Sequence, residues 1–428
     1  MRHVPIDSKL FIENRRRLRE RLLPQSLAVV NANDVLPSNG DGTLPACPNT
    51  DLFYLTGIEQ EESRLVLAPD APDENLREIL FLREPNEHLK IWEGHKLSQA
   101  AAQELSGIKT IKWLSEFPAV FHGLMCDAEH VYLNSNEHKR SATEVPSRDF
   151  RFIRSVQRQY PLHDYRRLAR ELHPLRAVKS LAEVELLREA IGITDAGFRR
   201  ILRAVRPGMN ECEVEAEFAH EFIRRRGRFA YNPIIASGAN SCVLHYDQND
   251  QPCRKGDLLL LDVAASYANY NADLTRTIPV SGRFTKRQRA VYDAVLRVLR
   301  AGIRSATVGK QYRDWQREAQ LLMNDELLRL GLLKPADIKK QTVAVPACRK
   351  YFMHGLGHPL GLEVHDVAPT TAPFAPGWVM TVEPGIYIPE EGFGIRLEND
   401  VLITADGPVD LMAHIPLEAA EIEDLMHP

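Results

Sequence analysis

The pattern of apolar and polar positions changes character partway along the chain. After an Arg-rich stretch with helical apolar spacing from Phe11 to Leu23, short apolar runs follow at SLAVVN, DLFYLTGI, RLVLAP, EILFL and HVYLN. Pro, Asp and Asn clusters separate them, and runs of about four to eight residues bounded by such turn-formers predict strands. Residues 1–170 therefore read as a mixed α/β domain. The segment RRLARELHPLRAVKSLAEVELLREA then forms a junction, interrupted by Pro174, where Ser180 and Glu183 make a capping box ahead of a helix. That helix stops at Arg206-Pro207-Gly208, and NECEVEAEFAHEFIRRRG predicts a second one ending at Gly227. Residues 171–428 read as a second domain, and no low-complexity segment or short-period repeat interrupts either.

Composition narrows the function classes. With 428 residues, 44% hydrophobic and 26% charged, the chain is long enough for two cores without staples. A formal net charge of −4 provides no basic field, which argues against nucleic acid or an anionic membrane surface as partner. Six cysteines (Cys47, Cys126, Cys212, Cys242, Cys253, Cys348) include no CxxC pair, so they are expected to be reduced, buried thiols of a cytoplasmic protein. The N-terminal stretch lacks an apolar signal region, and no apolar run approaches the ~18 residues of a spanning helix.

Chemistry becomes readable in the second domain. In KGDLLLLDVAASYANYNADLTRTIPV an apolar run ends on Asp262, and a second begins just after Asp273. If the two pair about a turn near Tyr267 and Ala268, Asp262 faces Asp273. Two carboxylates would then lie ~5 Å apart at Cβ, which destabilises a sheet unless something positive lies between them. In GWVMTVEPGIYIPEEGFGIRLENDVLI the arrangement recurs: Val379 to Val382 leads into Glu383, the turn signal EEG spans 390–392, and Glu398 returns opposite Glu383. Alternation puts Arg396 and Glu398 on one face, with Ile395 and Leu397 on the other. Four acids at the ends of apolar strands are hard to explain as solvated charge, and a metal explains them.

Between these hairpins HGLGHPLGLEVHD places three of the fifteen histidines, His354, His358 and His365, within thirteen residues. They could be a metal site, a catalytic pair or unrelated surface residues; the neighbouring acids favour one as a nitrogen ligand. The flanking glycines would let the backbone approach a metal. Neither HExxH nor GxSxG is present, and GLGHPLG lacks dinucleotide-binding glycine spacing.

The ordered set of Asp262, Asp273, His358, Glu383 and Glu398 in these contexts resembles the ligands of the pita-bread metallopeptidases, the group of methionine aminopeptidase, prolidase and aminopeptidase P. PNTDLFYLTGIEQEESRLVL and KIWEGHKL are similar to the N-terminal domain of bacterial aminopeptidase P, so the resemblance covers nearly the whole chain. It implies an N-terminal creatinase-like α/β domain, residues 1–170, and a catalytic domain of pseudo-twofold βαβ design, residues 171–428. It further implies two divalent ions, manganese best with cobalt or zinc as substitutes. Asp262 would hold one ion, Asp273 and Glu398 would touch both, and His358 and Glu383 would complete the ligation of the second ion. Glu383 would be the general base. His365 and His245 would serve the scissile amide, with His245 also touching substrate. His354 and Tyr387 would line the substrate pocket, Arg396 would orient Glu398, and Trp92 would reach a neighbour's pocket in a homodimer or homotetramer. The implied activity is release of the first residue from peptides with proline second. Alternatives are a dipeptide-restricted prolidase and a non-peptidase homologue used for binding.

Overall fold

The computed structural model describes residues 3–45, 47–141 and 144–427. These divide into two compact units, residues 3–176 and 177–428 with the termini aside.

In the first unit, six strands form one mixed sheet in the order Thr110–Trp113, Glu78–Leu82, Arg64–Leu67, Ser26–Asn31, His130–Leu133, Asp164–Arg167. Every residue of the central strand SLAVVN is buried, as a strand covered on both faces requires. Leu27, Val29, Val66, Phe81, Phe117, Met125 and Val131 make one core on one side. Four of the five apolar runs are the expected strands; DLFYLTGI is instead the helix Thr50–Thr56. Asn49 caps it by accepting from the Asp51 and Leu52 amides, and Gly57, at φ 69°, closes it in the left-handed conformation. These two end signals outweigh a strand-like composition in a run too short for periodicity to decide. A helix also spans Ala169–Ala177, running through Pro174 rather than stopping there.

The second unit repeats one order twice: two helices, then antiparallel strands. Helices Leu181–Ala204 and Glu211–Arg224 precede the ladder of Ile234–Ser237, Leu258–Asp262 and Thr275–Pro279. Helices Lys286–Ser305 and Tyr312–Arg329 precede the strands Val379–Val382, Gly385–Ile388, Phe393–Arg396 and Asn399–Thr404. The Ser180/Glu183 capping box forms as expected. The second hairpin has the expected register, Gly385 facing Arg396 and Ile388 facing Phe393, which carries Glu383 opposite Glu398. The first does not. Its turn is Ala268-Asn269, both at positive φ (49° and 66°), as a two-residue hairpin turn of the I′ kind requires. Tyr267 therefore faces Tyr270, and Asp262 faces Thr275 rather than Asp273.

The glycines flanking His358 stand where the chain is tightly packed. A Cβ on Gly357 would meet the Thr381 carbonyl oxygen at 1.9 Å, and one on Gly361 would meet the Asp366 carboxylate at 2.3 Å. The first obstacle is backbone in a buried strand and cannot rotate away. Gly357→Ala is expected to lower stability by about 3 kcal/mol, read as the midpoint of denaturant unfolding, and to displace the neighbouring His358.

Of the six cysteines, none is in a disulfide; Cys253 and Cys348 are buried, but Cys47, Cys126 and Cys212 are exposed, contrary to expectation. Among the described residues no helix is long and apolar enough to cross a membrane.

Candidate metal centre and active site

The strand ends bring the acids together. Ligand atoms of Asp273, His358 and Glu398 all lie within 4.8 Å of one another, and all three residues are buried. His358 Nε2 is 3.4 Å from Asp273 Oδ2 and 3.7 Å from Glu383 Oε1. His358 Nδ1 lies 3.0 Å from the Pro359 carbonyl, an acceptor only, so Nδ1 carries the proton donated there. The Nε2 lone pair is thereby aimed at the carboxylates, the tautomer a metal-ligating histidine adopts.

Asp262 lies on the other side of the cluster, and Tyr231 joins it to Asp273. The Tyr231 hydroxyl is 2.6 Å from Asp262 Oδ1 and 2.7 Å from Asp273 Oδ1. The two carboxylates are neighbours despite the shifted register, because both converge on this phenol. Tyr231 was not singled out from sequence. Its signal is position: it stands three residues before Ile234, which pairs with Asp262.

Electrostatics of the cluster are those of a cation site. Glu398 is pushed well above the carboxylate range by burial and by Asp273, Glu383 and Asp262. Burial also raises Glu383 to about 7, with His358 and Arg396 opposing. Asp262 is raised by burial against the pull of Arg396. For His358, burial opposes the charged form, but the Asp273 and Glu383 carboxylates win and raise it. Four carboxylates near one guanidinium, those of Asp273 and Glu398 buried and those of Asp262 and Glu383 partly so, with an imidazole lone pair aimed among them, fit divalent ions held by Asp262, Asp273, His358, Glu383 and Glu398.

Arg396 was expected to orient Glu398 directly. Instead its Nη2 donates to Asp262 Oδ2 at 2.6 Å, Nη1 to the Tyr387 hydroxyl at 2.8 Å, and Nε to Thr275 Oγ1 at 3.1 Å. Thr275 Oγ1 then donates to Glu398 Oε2 at 2.7 Å, so the arginine reaches Glu398 through a threonine. Because Arg396 can only donate, Tyr387 accepts from it and gives its own proton to His354 Nε2, 2.8 Å away. His354 Nδ1 donates in turn to the Gly355 carbonyl at 2.8 Å. Burial, then the Arg396 charge, pushes His354 down to about 3, so it is neutral. Both of its nitrogens are engaged, which leaves the ring itself as contact surface; Phe352 packs edge-on against it with centroids 4.9 Å apart. Tyr387, expected to line the substrate pocket, is 0% exposed and works by holding His354 and Arg396.

His365 is half-buried, its ring against that of His358 with centroids 4.1 Å apart. His245 is exposed and adds to the charge acting on His354. Trp92 is 76% exposed on helix Glu87–Glu93 of the first unit.

The phenol of Tyr231 supports two candidate ligands, Asp262 and Asp273, at once. Tyr231→Phe keeps the ring and removes both hydrogen bonds, and is expected to weaken metal affinity by roughly 10- to 100-fold. Calorimetric titration of chelated protein with manganese measures this.

Comparison with known proteins agrees with this geometry. Residues 185–405 match the model of metallopeptidase family M24, and residues 11–132 that of the aminopeptidase P N-terminal domain. The chain is 36% identical to the Xaa-Pro aminopeptidase of Escherichia coli across 98% of each chain, and 33% identical to that of Haemophilus influenzae across 97% of each. In structure it is similar to a putative aminopeptidase P from Bacillus anthracis (TM-score 0.91, 31% identity, 98% of each chain). It is similar too to zinc-substituted Escherichia coli aminopeptidase P in complex with product (TM-score 0.88, 33% identity, 99% of each chain). The expected α/β class, with a pita-bread domain behind an aminopeptidase P N-terminal domain, holds. The chain belongs to metallopeptidase family M24.

Proposed function

We propose that this protein is an Xaa-Pro aminopeptidase, a metal-dependent exopeptidase that hydrolyses the first bond of peptides with proline second. The observation that carries this reading is identity to Xaa-Pro aminopeptidases along the full length, N-terminal domain included, together with the buried acid and histidine cluster. Residues 1–170 form the N-terminal domain and residues 171–428 the catalytic one. Asp262, Asp273, His358, Glu383 and Glu398 hold two divalent ions, and four oxygen donors with one nitrogen make a hard set that suits manganese, with cobalt or zinc as substitutes. Bound there, the ions supply Lewis acidity that polarises the scissile carbonyl and makes the attacking water acidic at neutral pH.

The chain's own residues do the rest. Glu383 accepts the proton of the attacking water and passes it to the leaving amine. His365 and His245 donate to the developing oxyanion and align the amide. The neutral ring of His354 offers an apolar wall to the proline, which lacks an N–H and has a fixed φ. Arg396 keeps Asp262 and, through Thr275, Glu398 in place. The protein acts in the cytoplasm as a homodimer or homotetramer in which Trp92 reaches a neighbour's pocket.

Manganese-loaded protein assayed on Ala-Pro-Ala and Ala-Pro tests the substrate class. Release of Ala and Pro-Ala from the tripeptide is expected. Cleavage of the dipeptide alone would make it a prolidase, and cleavage of neither would end the Xaa-Pro reading.

A further inference from the structure

The segment that presents His245 has little secondary structure of its own. Between strands Ile234–Ser237 and Leu258–Asp262 it contains only the 3-10 turn Gly238–Cys242, and His245 itself is exposed. Such a segment places a side chain reproducibly only if something else holds it.

Asn249 ties it to Ile235, Glu215 and Pro233, and Ser241 ties it to Gly394, but the side chain next to His245 is held by one carboxylate, that of Glu211. It is the first residue of helix Glu211–Arg224 and is 0% exposed. Oε1 accepts from the Ser237 amide and Ser237 hydroxyl, both at 2.7 Å, and from Asn240 Nδ2 at 3.4 Å. Oε2 accepts from the Tyr246 hydroxyl at 2.7 Å and the Gln251 amide at 2.9 Å. These five donors lie at the start, middle and end of the segment, and all are uncharged. The positive end of its own helix favours the carboxylate where it stands. Tyr246, the residue after His245, packs in a cluster with Tyr387, whose hydroxyl serves His354 and Arg396.

We infer that Glu211 is a positioning residue for His245: its buried carboxylate fixes the segment that carries this histidine to the substrate. The inference rests on the proposed role of His245. Gln at position 211 keeps size and one acceptor oxygen but turns an amino group toward donors, so the segment loosens while the helix remains.

A double-mutant cycle on Ala-Pro-Ala tests it. His245→Ala is expected to lower kcat/KM by about 10²-fold, and Glu211→Gln by roughly 10- to 100-fold. In the His245→Ala background, Glu211→Gln should add less than about twofold, because the residue it positions is gone. Equal losses in both backgrounds, or no loss in either, would overturn the inference and leave the role of His245 standing. A His245→Ala protein with wild-type kcat/KM would overturn both. Should Glu211→Gln fail to fold, Tyr246→Phe, which removes one of the five donors, enters the same cycle under the same criterion.

Discussion

Asp273→Ala is expected to lower kcat/KM for Ala-Pro-Ala by about 10³-fold or more and to abolish most of the thermal stabilisation that manganese gives. Its carboxylate lies in one donor group with the His358 imidazole and the Glu398 carboxylate, all within 4.8 Å of one another, and shares the Tyr231 phenol with Asp262. Losing it removes ligation and unhitches the phenol together. Several kcal/mol of transition-state charge stabilisation depend on that ligation, and every 1.4 kcal/mol is about tenfold in rate. The same variant separates binding from folding. Ions at about 1,000 times their dissociation constant stabilise the native state by about 4 kcal/mol, a gain that should largely vanish in the variant.

A pH dependence belongs to this expectation. In metal-free protein, burial raises Glu383 from 4.5 to about 7, so the native state binds the proton more tightly than the unfolded chain. Stability from this group is then full below about 4.5 and declines as pH rises toward about 7. Melting temperatures of chelated protein should fall across that window, and those of metal-loaded protein should fall less, since a bound ion displaces the protons of its carboxylate ligands into solvent.

Arg396→Met should be the most destabilising change at the site, costing about 3–5 kcal/mol in chelated protein, or roughly 6–20 °C in melting temperature for a unit of this size. Arg396 is 4% exposed and serves Asp262, Tyr387 and Thr275 with three separate nitrogens. Methionine fills the volume but leaves a buried carboxylate without its cation. Manganese should restore part of the loss, because an ion at Asp262 replaces the missing positive charge. Lysine keeps the charge but cannot fork to three partners, so Arg396→Lys should fall between.

How far the site was legible depended on turn chemistry. The hairpin of Glu383 and Glu398 could be registered from sequence because EEG, with Gly392 at φ 70°, marks its turn unambiguously. The hairpin after Asp262 offered Tyr-Ala-Asn-Tyr, where non-glycine residues take positive φ; placing the turn one residue early moved every partner by two. Asp262 and Asp273 still meet, through Tyr231, a residue whose role depends on tertiary convergence and leaves no local pattern. Thr275 was invisible for the same reason: a threonine in an apolar strand looks like β-propensity until Arg396 and Glu398 are seen on either side of it. The helix at DLFYLTGI was misread because a fully buried run has no polar face to reveal its period, although Asn49 and Gly57 bracketed it.

Titration of activity with metal tests the central claim most directly. Chelated protein, supplied with increasing manganese and assayed on Ala-Pro-Ala, should regain activity and reach a plateau at two equivalents per chain, with no recovery in Asp273→Ala. Full activity in chelated protein, or equal recovery in the variant, would contradict a catalytic centre built on these five residues.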